Sequence, residues 1–223
     1  QQPGLSQEEI DSVINLFSNG QYQLAINQIK VLNQTYPNVP LLFNLIGACY
    51  KALGQLQGAV KMFETAVNLK PDYAEAYKNL GISLRDLGQP NDAISCFRKA
   101  IEIDPNYVDA YYNLAESLSE LNELDASIEA YQKVITLKPD LAEAHNNLGT
   151  IFMSIGKFNE AAFYFKKTIK INPNFFRAFN NLGNVFNCQG NFQKGIQCFE
   201  KAIAIKPNFA EAHNSLGNIF RRL

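Results

Sequence analysis

The stretch DYAEAYKNLGISLRDLGQPNDAISCFRKAIEIDP, residues 72–105, decides the fold. Its apolar and small residues recur at three- and four-residue steps, first through Tyr77, Leu80, Gly81 and Leu84, then through Ala93, Phe97 and Ala100. Such spacing puts each set on one face of a helix, and Gly88 between them supplies the flexible backbone of a turn. The stretch therefore predicts two antiparallel helices that bury their stripes against each other. It closes on Pro105, and Pro37, Pro71, Pro105, Pro139, Pro173 and Pro207 follow one another at intervals of 34. A fixed period of that size marks an array of repeated helix pairs.

Working outward, the preceding period reads Phe43, Ile46, Gly47, Tyr50, Gly54, Ala59, Phe63, Ala66 and Pro71 in the same phase. Phe43, Ile46 and Tyr50 mark one buried stripe, and Val60, Phe63 and Val67 the other. Small residues at Gly47, Ala59 and Ala66 let the paired helices approach where a larger side chain would overpack. Gly54, Gly156 and Gly190 repeat the turn glycine. The units fall at 6–39, 40–73, 74–107, 108–141, 142–175 and 176–209, after a tail at 1–5, with 210–223 as the first helix of a seventh. Asp72 with Glu75, Asp140 with Glu143, Asn208 with Glu211 and Ser6 with Glu9 read as helix caps followed three residues later by a carboxylate. The first unit departs from the pattern at Glu9 and Val13, as a terminal cap would, and the fourth carries Asn122 at the turn and Ser127 at a small position. Leu216, Ile219 and Phe220 would lack a covering second helix, which leads us to expect a longer natural chain.

An aromatic, then L-G, a second aromatic, A-x-x-x-F and a closing proline together resemble the tetratricopeptide repeat (TPR) family. The resemblance implies an all-α, right-handed solenoid of antiparallel helix pairs, a single domain over 6–223. It also implies a concave groove, walled by the first helix of each unit, as the usual ligand site.

Charge and chemistry narrow the function. Twenty Lys and Arg against twenty-one Asp and Glu give a net charge of -1, so no global field draws the chain to nucleic acid or anionic membrane. No apolar run approaches the ~20 residues of a membrane span, and the start lacks a signal-peptide pattern. Cys49, Cys96, Cys188 and Cys198 have neither C-x-x-C spacing nor disulfide density, and read as small buried hydrophobes in a reducing, cytoplasmic setting. His145 and His213 occupy the aromatic position of Phe43, Tyr77, Tyr111 and Phe179, and read as packing substitutes. The sequence has no G-x-S-x-G, H-E-x-x-H or Walker pattern. The expectation is a non-enzymatic chain with no cofactor and no metal.

Corresponding positions on the first helices form ladders. One runs Asn79, Asn113, Asn147, Asn181, with Ser215 next and Leu45 breaking it; a second runs Asn44, Lys78, Tyr112, Asn146, Asn180, Asn214. Asn184, Asn187 and Asn218 thicken the amide surface near the C-terminus, where the groove should be almost uncharged. Asn is a modest helix former, so its repetition inside helices needs a reason. Amides can bond between repeats, or donate to and accept from the main chain of an extended peptide. The first ladder is similar to the asparagine ladder in the TPR superhelix of O-linked N-acetylglucosamine transferase, which implies a hold on polypeptide backbone by Asn79, Asn113, Asn147 and Asn181. Arg177 replaces the acidic residue found at Glu75, Asp109, Glu143 and Glu211, and suits an acidic group of a ligand at the groove rim. A carboxylate clamp for chaperone C-termini fits poorly, because Ile82 and Asp109 stand where basic partners would help Lys78. Three readings stay open: a scaffold for a protein or peptide ligand, the substrate-recruiting region of a larger glycosyltransferase-like or sulfotransferase-like enzyme, and a self-assembly module that makes homo-oligomers through its terminal face.

Overall fold

A computed structural model describes residues 4–221; residues 1–3 of the expected tail and 222–223 of the seventh unit lie outside the described residues. Among the described residues there are thirteen α-helices: α1 (Gln7–Ser18), α2 (Tyr22–Thr35), α3 (Pro40–Ala52), α4 (Leu56–Leu69), α5 (Ala74–Asp86), α6 (Pro90–Ile103), α7 (Val108–Glu120), α8 (Leu124–Leu137), α9 (Ala142–Ser154), α10 (Phe158–Ile171), α11 (Phe176–Cys188), α12 (Phe192–Ile205) and α13 (Ala210–Phe220). They fall into two compact units, one ending at Leu121 with α1–α7, the other starting at Asn122 with α8–α13. Among the described residues no helix is long and apolar enough to cross a membrane.

In four of the repeats the two helices pack as a pair because one phenylalanine fills the space that a glycine leaves open. A Cβ added to Gly81 would stand 2.6 Å from Phe97 Cε1, closer than real Cβ contacts allow. The same approach recurs between Gly47 and Phe63 in the first unit, and at Gly149 with Phe165 and Gly183 with Phe199 in the second. All four phenylalanines are buried. Turn backbone follows the same economy: Gly88 has φ +79°, and in the fourth repeat Asn122 takes φ 61°, a left-handed conformation that Asn tolerates better than most residues.

First helices of successive repeats touch, as α3 with α5, α5 with α7, α9 with α11 and α11 with α13. Successive second helices, such as α4 and α6 or α10 and α12, stand farther apart. The first helices therefore line the inner wall of each unit, and grooves open between the second helices outside.

Several details differ from expectation. Ser6 forms a full capping box with Glu9, but α5, α9 and α13 start one residue later than expected, with Tyr73, Leu141 and Phe209 at the cap and no side-chain cap bond. These large side chains go into interfaces, Phe209 into the core of the last repeats, and packing rather than a capping bond fixes the helix start. Ile219 is fully buried and Leu216 half-buried, leaving Phe220 as the exposed one of the three. Of the cysteines, Cys49 is buried, Cys96 and Cys198 are half-buried, and Cys188 is exposed.

Phe97→Ala opens a cavity that α5 cannot fill, with an expected loss of ~3 to 5 kcal/mol. Gly81→Ala overpacks the same contact and is expected to cost ~1 to 3 kcal/mol. Thermal and urea unfolding followed by circular dichroism checks both; unaltered transitions would contradict the packing.

Candidate peptide groove

The inner wall of each unit carries its own part of the expected ladders, and most of these residues are already bonded. In the first unit, Asn79 Nδ2 donates to Asn44 Oδ1 of the preceding repeat at 3.0 Å, and Asn44 Nδ2 donates to the Tyr73 hydroxyl at 3.3 Å. In the second, Asn181 Nδ2 donates to Asn146 Oδ1 at 3.2 Å. Both are links between a ladder amide and the neighbouring line one repeat back. Asn79 and Asn181, each half-buried, use one N–H this way and keep a second N–H and the carbonyl oxygen.

Asn113 and Asn147 are held more fully. Asn113 Nδ2 donates to the Asp109 backbone oxygen at 2.7 Å, and Arg85 Nη2 donates to Asn113 Oδ1 at 3.2 Å while its Nη1 pairs with Glu116 at 2.9 Å. Asn147 Nδ2 donates to the Tyr131 hydroxyl at 3.0 Å, and Asn146 Nδ2 approaches Asn147 Oδ1 at 3.4 Å. Tyr131 stands at the position that Phe97 fills in its own repeat, so the fourth repeat adds a hydroxyl to a core ring and anchors a ladder amide with it. Arg85, Glu116 and Tyr131 were not singled out by sequence reasoning. Arg85 follows the ladder residue Asn79 by six positions, nearly two helical turns along α5, and that placement could have found it.

Around these, Lys78 lies over the Tyr107 ring at 5.8 Å, and Tyr112 is half-buried. Lys51 pairs with Asp86 at 3.4 Å, so the inner wall of the first unit is charged. That of the second is amide-rich: Asn180 is buried with its Oδ1 unpartnered, Asn187 Oδ1 likewise, Asn184 accepts from Ser215 at 3.4 Å, and Asn214 is exposed. Arg177 is exposed with its guanidinium 5.6 Å from the Phe176 ring centroid, and Lys206 stands 4.7 Å from the same centroid. Neither cation has an ion-pair partner among the described residues, and Phe176 packs edge-on against Phe209 at 4.8 Å.

The histidines have structural partners. Nε2 of His145 lies 2.9 Å from the Pro139 carbonyl and that of His213 2.8 Å from the Pro207 carbonyl, which makes Nε2 the protonated nitrogen. Among the described residues no group of three or more His, Cys, Asp or Glu is placed to hold a metal ion. Burial pushes the thiols of Cys49, Cys96 and Cys198 up to about 11, away from the thiolate form a nucleophile needs.

Paired helices stacked repeat on repeat, with a polar inner wall, define an all-α helix-pair solenoid. Family models described as "Tetratricopeptide repeat" match residues 74–107, 142–175 and 176–209, and 96–129; another described as "TPR repeat" matches 47–84 and 116–156. The chain belongs to the tetratricopeptide repeat family, and its general kind is that of a protein-interaction scaffold. Among solved structures, the crystal structure of MamA is 30% identical with a TM-score of 0.70, over 74% of this chain and 97% of that one. PilW, described as a widely conserved type IV pilus biogenesis factor, is 21% identical with a TM-score of 0.82, over 95% of this chain and all of that one. YrrB, described as a TPR protein with an unusual peptide-binding site, is 21% identical with a TM-score of 0.72, over 84% and 96%. Among curated proteins none matches the chain.

Tyr73 and Tyr107 give the inner wall a pH limit. Burial, with help from the Glu75 charge, pushes both hydroxyls up to about 12 from the ordinary 10. The folded state keeps them protonated, so the stability they contribute is whole below pH 10 and is lost as pH rises toward 12. The melting temperature should fall through that window, and Tyr73→Phe with Tyr107→Phe should flatten the fall; an equally steep fall in the double variant would contradict the assignment.

Proposed function

We propose that this chain is a recognition scaffold that holds extended protein or peptide segments along the inner wall of each unit, and that it works by binding rather than turnover. The observation that carries the reading is the residual capacity of Asn79 and Asn181. Each keeps one donor and one acceptor after making its inter-repeat link, and this pairing matches the alternating N–H and C=O of an extended main chain. Asn146, Asn180, Asn184, Asn187 and Asn214 extend the amide surface in the second unit, while Asn113 and Asn147 hold the wall in shape through Arg85 and Tyr131. Main-chain contacts make the affinity tolerant of ligand sequence. Selectivity then comes from the rim, where Arg177 and Lys206, with no ion-pair partner among the described residues, present two cations over Phe176, suited to an acidic ligand residue.

Calorimetry with an unstructured peptide selected from a random display library tests the amide role. Replacing Asn79 and Asn181 together by Ala removes about one ligand bond at each, an expected loss of ~1 to 3 kcal/mol in binding at ~0.5 to 1.5 kcal/mol per bond. Unchanged affinity alongside a lowered melting temperature would leave the amides as links between repeats and overturn the reading.

Arg177→Glu should weaken binding of an acidic library peptide more than that of its neutral counterpart. Equal effects on the two peptides would remove the acidic preference.

A further inference from the structure

The outer side of the second unit carries a feature the groove does not use. Because second helices of successive repeats stand apart, a cavity of about 540 Å³ opens between α8 and α10, with His145 of α9 among its lining residues. Phe163, Tyr164 and Ile171 give it an apolar side, and Lys167 and Lys170 a basic one. Phe163 is 54% exposed, and the Lys167 ammonium stands 5.6 Å from its ring centroid.

Comparison with the other repeats isolates this cavity. Positions 163, 166, 167 and 170 hold Phe, Lys, Lys and Lys; one repeat on, at 197, 200, 201 and 204, they hold Gln, Glu, Lys and Ala, and one repeat back, at 129, 132, 133 and 136, Glu, Gln, Lys and Thr. The equivalent cavity beside α12 is lined by Glu200 next to Lys201, so its charges offset each other. No ion pair among the described residues involves Lys166, Lys167 or Lys170. The second unit as a whole holds twelve Lys and Arg against eight Asp and Glu, while the first holds eight against thirteen, so the near-neutral total hides opposite signs. His145, 6% exposed, has its Nε2 committed to Pro139 and its Nδ1 buried without a partner, which is costly in a wall that serves packing alone.

We infer that this outer cavity is a second protein-binding site, which takes an acidic segment of a partner protein carrying one aromatic side chain among its carboxylates. The aromatic ring enters beside Phe163 and Tyr164, and the carboxylates meet Lys167 and Lys170, cations with no ion-pair partner among the described residues. Charge complementarity selects the partner, and the apolar side distinguishes it from a polyanion held by charge alone. The site is independent of the inner wall, so either can fail without the other.

The test uses the full chain and a fluorescein-labelled synthetic peptide with one phenylalanine between two runs of four aspartates, read by fluorescence anisotropy. Binding should weaken at least tenfold in Lys167→Glu with Lys170→Glu, and similarly in Phe163→Ser. It should also weaken when serine replaces the phenylalanine of the peptide, and stay unchanged in Asn79→Ala with Asn181→Ala. All three outer positions are exposed, and circular dichroism should show the fold retained. Absence of binding to the wild-type chain, equal binding by the lysine double variant, or equal binding of the serine peptide would overturn the proposal. Competition by polyuridine as strong as by unlabelled peptide would assign the patch to nucleic acid instead. A dimer by light scattering that the lysine double variant abolishes would assign it to a second copy of this chain.

Discussion

The packing of four helix pairs depends on how closely a phenylalanine ring can approach a helix backbone. With glycine at that place the two helices of a repeat come together with no side chain between them, and the ring is enclosed on all sides. The cost of a methyl group there, and of an empty space where the ring stood, have the same origin: interiors are packed at the density of organic crystals and yield little. The contact is local in sequence, joining residues 16 apart, so it forms without long loop closure. What it leaves for the array is the choice of side chains on the two outer surfaces.

Those choices differ between the two sides of each unit. Inside, amides and a guanidinium bond from one repeat to the next, and this is why polar residues are tolerated so close to the core: Asn44, Asn146 and Asn180 are all under 10% exposed. A buried amide that makes its bonds rigidifies the wall, whereas one left open is expensive. Asn79 and Asn181 lie between these limits, half-buried with part of their capacity in use, and such positions suit recognition because little must be desolvated to complete them. Outside, splayed second helices leave room that side chains alone do not fill.

The helix-pair fold and the phenylalanine contacts were legible because a 34-residue period repeats each signal several times. Where one residue was read alone, legibility failed. Asp72, Asp140 and Asn208 looked like caps, yet the helices start on the large residues that follow, since burying a ring or a branched chain outweighs a single surface hydrogen bond. Ile219 looked uncovered and is fully buried. At the site, the amide ladders were readable from phase, but the partners of their members were not: whether Asn113 meets solvent or Arg85 depends on the reach of a long side chain from the neighbouring repeat. Net charge was silent on a further point, because a sum over the chain cancels the opposite balances of the two units.

The same close contact has a consequence for how such a chain can change over time. Four of the helix pairs carry their own ring and their own glycine, so each such 34-residue block is a self-sufficient piece of interior. Duplicating, deleting or exchanging a block in frame keeps every such contact intact, and only the facing sides of neighbours need to agree. A block with a basic, aromatic outer helix such as α10 is therefore portable: one recombination event can move it along an array or into another, and carry its surface chemistry with it.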